Sequence, residues 1–209
     1  MKHIILISAL TASCFVSAPA FAQSAQTVEG NYVQLSLGSG IAGNTKVSIA
    51  GVGSENVDLD TGFFAALAGG HSMANGLALE TEVLYLKNDL KTGSLDTLIG
   101  VPLKASSSTV GGMLNAQYAV APVGPLVANV GAGIGFGQVE YKLLGESSTG
   151  TGFMWQAMAG LSYPVSPQVS WDLKYRYVRS PELRASFAPY NAKVETGTHV
   201  LAVGARFRF

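Results

Sequence analysis

Residues 197–209 read GTHVLAVGARFRF and contain a regular alternation of residue types. From position 201 onward, alternate residues differ in character. One set is Leu201, Val203, Ala205, Phe207 and Phe209, and the other is Ala202, Gly204, Arg206 and Arg208. A period of two residues predicts a β-strand with one apolar and one polar face. The fold then depends on whether the rest of the chain supplies more strands of this kind.

Composition favours a membrane protein built from strands. Charged residues make up 12% of the 209 residues, whereas about 25% is usual in soluble domains. No internal segment has the run of about 20 apolar residues that a membrane helix needs. Hydrophobic residues, 48% of the chain, occur instead in short alternating stretches among 25 glycines. The formal net charge is zero, so we expect no nucleic-acid partner.

Residues 1–22 have the organisation of a secretory signal peptide. Lys2 precedes an apolar stretch over 4–16, and Ala20 and Ala22 occupy the small positions of a cleavage site. We place cleavage after Ala22, with 23–30 as a short periplasmic tail. An uncleaved membrane anchor and a lipoprotein modified at Cys14 are the alternatives, although residues 11–13 match a lipobox poorly. The mature chain then has no cysteine and no disulfide.

Seven further segments have strand character before the last one. They cover residues 31–38, 59–70, 77–87, 106–120, 126–142, 152–165 and 169–179. The segment at 59–70 is ambiguous because both of its faces carry apolar or small residues. Four glycines on one face of 126–142 indicate a crowded interior wall or a sharply coiled strand. The connections alternate between long ones, at 40–58, 88–104, 143–151 and 180–196, and short turns, at 72–76, 121–125 and 166–168.

Eight strands with alternating long and short connections resemble the small outer-membrane β-barrels. These families include the membrane domain of outer membrane protein A, its small relatives and the opacity-type surface antigens, and the resemblance covers 31–209. Val203, Phe207 and Phe209 with the intervening arginines contribute to it. In these families the last strand pairs with the first, and a terminal aromatic residue belongs to the assembly signal. Phe207 and Phe209 are therefore the candidates for that signal.

The resemblance implies an all-β, eight-stranded, antiparallel up-and-down transmembrane barrel in the bacterial outer membrane. Both termini would be periplasmic, and the four long loops would be extracellular. The implied partners are outer-membrane lipid and lipopolysaccharide, with the β-barrel assembly machinery and periplasmic chaperones in transit. We expect a monomer.

The faces of the strands predict which side chains meet lipid. The larger, aromatic-rich face includes Trp155, Trp171 and Tyr175, and it would overfill a barrel of eight strands. Placed outside, it forms a lipid-facing belt with Tyr and Trp near its edges. A soluble, lipocalin-like barrel with an apolar pocket is the alternative.

Charged side chains on the opposite face are the candidate site. They are Glu80, Glu82, Asp172, Lys174, Arg176, Arg206 and Arg208. Counting from the turns places Glu82 and Lys174 at similar heights, which predicts a pair. Ion pairs that fill the lumen are favoured over a small gated pore, because unpaired buried charge is costly.

Catalysis finds little support in the sequence. Lipid A deacylases use a His and a Ser two residues apart on a late strand, but Val200 and Leu201 follow His199. His71 has no obvious acidic partner, and we predict no catalytic residue, metal site or cofactor. The leading hypothesis is a structural or surface-exposed protein with loops suited to adhesion. A narrow, low-conductance porin and a lipid-modifying enzyme are the alternatives.

Overall fold

A computed structural model of the protein describes residues 29–49, 53–58, 61–89, 105–143, 146–187 and 190–209. Side chains are described within 29–40, 61–89, 106–142, 147–182 and 195–209. The predicted signal peptide and most of the predicted tail lie outside these residues. No helix long and apolar enough to cross a membrane occurs in the described ranges.

Strands make up nearly all of the described chain. They are β1 (Gly30–Ile49), β2 (Gly53–Asp58), β3 (Gly62–Ser72), β4 (Leu77–Asp89), β5 (Ala105–Val123), β6 (Leu126–Leu143), β7 (Glu146–Pro164), β8 (Val169–Arg179), β9 (Leu183–Phe187) and β10 (Tyr190–Arg208). The short strands β2 and β9 pair only with the outer parts of β1 and β10, and the other eight strands form the barrel.

The sheet closes on itself because β1 pairs with β10. Each barrel strand is antiparallel to its neighbours, and Tyr32 lies opposite Arg208 while Ser39 lies opposite Leu201. Closure gives every barrel strand two partners and removes the exposed edges of an open sheet. The predicted eight-stranded antiparallel barrel is confirmed.

Short turns join the strands at one end of the barrel. Residues 73–76 connect β3 to β4, 124–125 connect β5 to β6, and 165–168 connect β7 to β8. Gly76 and Gly124 have φ angles of +87° and +61°, which glycine adopts without the steric cost of a side chain. All three positions overlap the turns predicted from the sequence.

Strands occupy much of what the sequence predicts as long loops. Most of 40–58 belongs to β1 and β2, and most of 180–196 belongs to β9 and β10. Within 143–151, only residues 144–145 separate β6 from β7, while 90–104 lie outside the described residues. These predictions are corrected for a physical reason. Strand pairing uses backbone hydrogen bonds, so the glycine-rich, polar stretch at 40–58 can extend a sheet without a strong hydrophobic pattern. Residues 190–195 do alternate, with Tyr190, Ala192 and Val194 between polar residues, so their strand signal was present and missed.

The outer face of the barrel is apolar, and the inner face is largely polar. On β8 the side chains of Trp171, Leu173 and Tyr175 are exposed, whereas those of Asp172 and Lys174 are buried. The segment at 59–70, whose two faces the sequence left ambiguous, has a definite inner face, because Phe64 in β3 is buried. The lipid-facing arrangement predicted from the sequence is therefore the one that the structure has.

Glycines on β6 make room for large side chains from neighbouring strands. Gly131, Gly133, Gly135 and Gly137 all face inward. A Cβ atom at Gly133 would overlap the amide of Asn115, and one at Gly137 would overlap the sulfur of Met154. The crowded interior wall predicted from the glycine pattern is what this strand forms.

Replacing one of these glycines should be costly. A Cβ atom at Gly135 would overlap the backbone carbonyl of Gly112, whereas one at Gly112 itself would have no atom within 4 Å. We expect Gly135→Ala to lower the free energy of unfolding by about 1–3 kcal/mol, as overpacking usually does. Gly112→Ala is the matched control and should stay within about 0.5 kcal/mol of wild type. Urea unfolding in lipid vesicles measures both, and equal stability of the two variants would contradict the packing argument.

Candidate functional site

The charged side chains predicted for the lumen lie inside the barrel. The buried ones are Glu80, Glu82, Asp172, Lys174, Arg176 and Arg206. Arg208 is half-buried and lines a cavity at the end of the barrel that carries the short turns. Three acidic and three basic side chains are thus buried in the described lumen, so their formal charges balance.

A buried salt bridge between Glu82 and Arg176 crosses the centre of the lumen. The Arg176 Nη1 atom donates to both carboxylate oxygens of Glu82, at 2.9 and 2.7 Å. Gln156 Nε2 donates to the same carboxylate at 2.8 Å, and the Arg176 guanidinium lies 5.1 Å from the centre of the Phe64 ring. Glu82 is therefore paired with Arg176, and the prediction that it pairs with Lys174 is wrong.

Lys174 belongs to a second cluster, nearer the short turns. Its Nζ atom donates to Gln117 Oε1 at 2.8 Å and lies 4.0 Å from Asp172 Oδ2. Arg206 Nη2 lies 3.2 Å from the same Asp172 oxygen and 3.0 Å from Gln34 Oε1. One carboxylate thus serves two cations, and amide oxygens supply the remaining acceptors.

Glu80 is held by neutral donors. The Tyr32 hydroxyl donates to Glu80 Oε2 at 3.0 Å, and Gln117 Nε2 donates to the same oxygen at 3.0 Å. Asn115 Nδ2 donates to Glu80 Oε1 at 2.9 Å. The amides of Asn115 and Gln117 link Glu80 to the two charged clusters, since Gln117 also binds Lys174 and Asn115 accepts from Gln156.

An apolar layer fills the lumen next to the salt bridge, on the side away from the short turns. It comprises Phe64, Leu84, Leu86, Met154, Val178 and Val200, all of which are fully buried. Beyond it, Asn88 donates to Thr198 at 3.1 Å, and the hydroxyls of Thr109 and Ser180 lie 3.0 Å apart. The sequence analysis missed this layer. The sequence does indicate this layer, because Leu84 and Leu86 share a strand face with the inward Glu80 and Glu82.

The two histidines of the described chain lie outside the lumen. His71 Nδ1 is 2.9 Å from Asn31 Oδ1 on the exposed surface. His199 is hydrogen-bonded to the Tyr175 hydroxyl and contacts the rings of Tyr175 and Tyr177. No group of three His, Cys, Asp or Glu side chains comes together as a metal site within the described residues.

The candidate assembly-signal residues are exposed on the outer face. Phe207 and Phe209 both point away from the lumen, and the backbone N–H of Phe209 donates to the carbonyl of Asn31 at 3.0 Å. Both aromatic rings are therefore available to contacts from outside the barrel.

Comparison with known proteins gives one family. A family model described as an outer membrane protein beta-barrel domain matches residues 8–207. An outer membrane protein of Gluconacetobacter diazotrophicus is 28% identical over 200 residues, covering 83% of this chain and 52% of that protein. This chain thus spans about half the length of that relative.

Solved structures share the fold at low sequence identity. Neisserial surface protein A is 23% identical with a TM-score of 0.50, covering 86% of this chain and 97% of that one. AlkL, solved in lipid bilayers, is 17% identical with a TM-score of 0.55, covering 90% and 94%. OprG from Pseudomonas aeruginosa is 11% identical with a TM-score of 0.52, covering 86% and 97%.

Separate and joint replacement of the central ion pair should give different losses of stability. Glu82→Gln or Arg176→Met alone leaves one buried charge unpaired, which typically costs about 3–5 kcal/mol, while the double variant should cost much less. A double-mutant cycle of urea unfolding in lipid vesicles measures the coupling.

The matched control for this cycle is the exposed pair of Glu140 and Lys142. These side chains lie 3.5 Å apart and are 33% and 60% exposed. Their coupling should be below about 1 kcal/mol. Strict additivity at Glu82 and Arg176 would contradict a stabilising role for the central pair.

Proposed function

Since the chain belongs to the family of outer membrane protein β-barrel domains, we propose that it is a structural or surface-exposed protein with a closed lumen. The protein lies in the bacterial outer membrane. Its proposed function lies with the ends of the barrel, and its interior side chains stabilise the barrel. The filling of the lumen is the observation that carries this proposal.

Two kinds of filling lie in series along the barrel axis. The salt bridge of Glu82 and Arg176 lies at the centre, and the apolar layer around Phe64 and Leu86 lies beside it. The side chains of Arg176, Phe64 and Leu86 are less than 2% exposed. A hydrated ion would have to displace the apolar layer and also break a bridge with three charge-assisted hydrogen bonds around one carboxylate. Both requirements oppose conduction.

The barrel wall extends well beyond the membrane at the end opposite the short turns. A tilted strand needs roughly 9–11 residues to cross a bilayer. β3 and β8 have 11 residues, but β1 has 20 and β5, β7 and β10 have 19 each. The surplus, with β2 and β9, forms a projecting rim. We place this rim outside the cell and the short turns in the periplasm, where a rim suited to adhesion would meet other surfaces.

A catalytic role receives no support from the described side chains. A Ser-His-acid site needs three groups placed together. His71 bonds to an asparagine, and His199 is packed among tyrosines on the outer surface. We therefore propose that the protein is not an enzyme.

Conductance measurements test the closed lumen. In planar bilayers with potassium chloride, we expect the wild-type protein to show no resolved current steps. The double variant Phe64→Ala with Arg176→Ala removes the stacked ring and guanidinium and should produce a leak. Heat-dependent gel migration confirms that both proteins are folded. Regular current steps in wild type as large as those of the double variant would favour the narrow porin instead.

Epitope display on intact cells tests the proposed orientation. A tag inserted between residues 96 and 97 should be labelled by antibody on intact cells. The same tag between Gly124 and Pro125, in a short turn, is the matched control and should be labelled only after the outer membrane is permeabilised. The reverse result would show that the rim faces the periplasm.

A further inference from the structure

An apolar groove of about 740 Å³ lies on the lipid-facing surface of the barrel, over β3, β4, β5 and β6. Its floor is low because Gly69, Thr81 and Gly112 occupy outward positions there. The Thr81 hydroxyl already donates to the carbonyl of Gly69 at 3.2 Å. Glu82 also borders the groove, but its side chain is buried in the lumen. Large, exposed apolar side chains form the walls, with Leu67 and Val83 on one side and Leu114, Ile134 and Phe136 on the other.

The two glycines of the floor are not required by the sheet. A Cβ atom at Gly112 would have no atom within 4 Å, and one at Gly69 would meet only the carbonyl oxygen of Tyr32, at 4.0 Å. Neither glycine has a positive φ angle. Glycine within a strand weakens that strand and often marks a close approach by another group. These two glycines therefore provide room on the outer face, in contrast to the inward glycines of β6.

The groove runs close to the barrel axis. Gly69 pairs directly with Thr81, and Gly112 pairs with the next outward residue of the same strand, one step nearer the rim. The strands are tilted, because the row of register partners that starts at Asn31 climbs around the barrel and returns to β1 at Ala42. This climb turns the diagonal from Gly69 to Gly112 towards the axis. A chain lying in the groove would therefore follow the membrane normal.

Exposed polar pairs bound the groove at both ends. On the rim side, Gln138 pairs with Thr151 directly beyond Phe136. On the side of the short turns, His71 Nδ1 lies 2.9 Å from Asn31 Oδ1. The surface is thus polar, then apolar over the length of the groove, and then polar again. The groove has the polarity profile of the bilayer around it, with headgroups at the polar ends and acyl chains between them.

We propose that this groove binds one straight, saturated acyl chain of a membrane lipid, with the headgroup beside Gln138 and Thr151. A chain in the groove contacts the floor and both walls, whereas a chain on a flat surface contacts the barrel on one side only, so the groove adds many weak van der Waals contacts. A cis double bond bends an acyl chain, and a bent chain leaves a straight groove. The proposal is independent of whether the lumen conducts.

Fluorescence quenching by brominated lipid tests the proposal. The full mature chain, with Trp155→Phe and Trp171→Phe, receives a single tryptophan through Ile134→Trp in the groove wall. The matched control is Val203→Trp on β10, which lies opposite β5 in the eight-stranded barrel and is similarly exposed. Each protein is folded into vesicles that contain brominated phosphatidylcholine and a competing phosphatidylcholine with either dimyristoyl or dimyristoleoyl chains. These competitors share headgroup and chain length and differ by the cis double bonds.

The saturated competitor should relieve quenching more effectively at the groove. We expect a preference of roughly threefold at Ile134→Trp, since a bent chain loses several van der Waals contacts, and no preference at Val203→Trp. Adding Gly112→Leu, which fills the floor, should abolish the preference at the groove. Adding Ala205→Leu, on the outer face of β10, is the matched control and should leave the preference unchanged.

Three results would overturn the proposal. Equal competition by the two lipids at Ile134→Trp would show that the groove does not select a straight chain. An unchanged preference in a folded Gly112→Leu protein would show that the floor plays no part. Absence of quenching at Ile134→Trp by any brominated lipid would show that a second copy of the chain covers this face. Heat-dependent gel migration establishes the folding of every variant before the measurement.

Discussion

Pairing between β1 and β10 closes the sheet into a barrel, and this closure governs both the backbone and the interior. The hydrocarbon of a membrane offers no water, so every backbone N–H and C=O group within it must bond inside the sheet. The pairing runs from Tyr32 opposite Arg208 to Ile49 opposite Ala192, well beyond the length of a membrane crossing. Closure with eight strands also fixes the width of the barrel, which leaves room inside for side chains and little else.

Because the lumen is narrow, large side chains must be matched by small ones and buried charges by opposite charges. Polar side chains such as Gln117 and Asn115 fit only where their neighbours are small, which is why β6 presents glycines at Gly131 and Gly133. Charges buried this way must be compensated, and the balance of three acidic and three basic groups meets that need. Glu80 shows that a buried carboxylate need not touch a cation, because neutral amide and hydroxyl groups donate hydrogen bonds to its oxygens.

The sequence predicted the barrel and the inner face of most strands, but it left the faces of 59–70 ambiguous and did not predict the partner of Glu82. Alternation is a local property, so the stretch around Trp171 and Asp172 reveals its two faces without any tertiary information. Partners across the lumen depend on strand tilt and stagger. Glu82 is five residues from the start of β4, whereas Arg176 is seven from the start of β8, so the stagger favours Arg176 over Lys174. The outer part of β10 was missed although Tyr190, Ala192 and Val194 alternate there with polar residues.

Filling at the centre makes the two ends of the barrel chemically independent. From the short turns inward, the lumen holds the Lys174 and Asp172 cluster first, then the bridge of Glu82 and Arg176, and then the apolar layer. Each layer has its own ion pairs or close packing, although both Asp172 carboxylate oxygens and Arg176 Nε are buried without a hydrogen-bond partner. Three successive layers of filling therefore favour the proposed role at the ends of the barrel over transport through it.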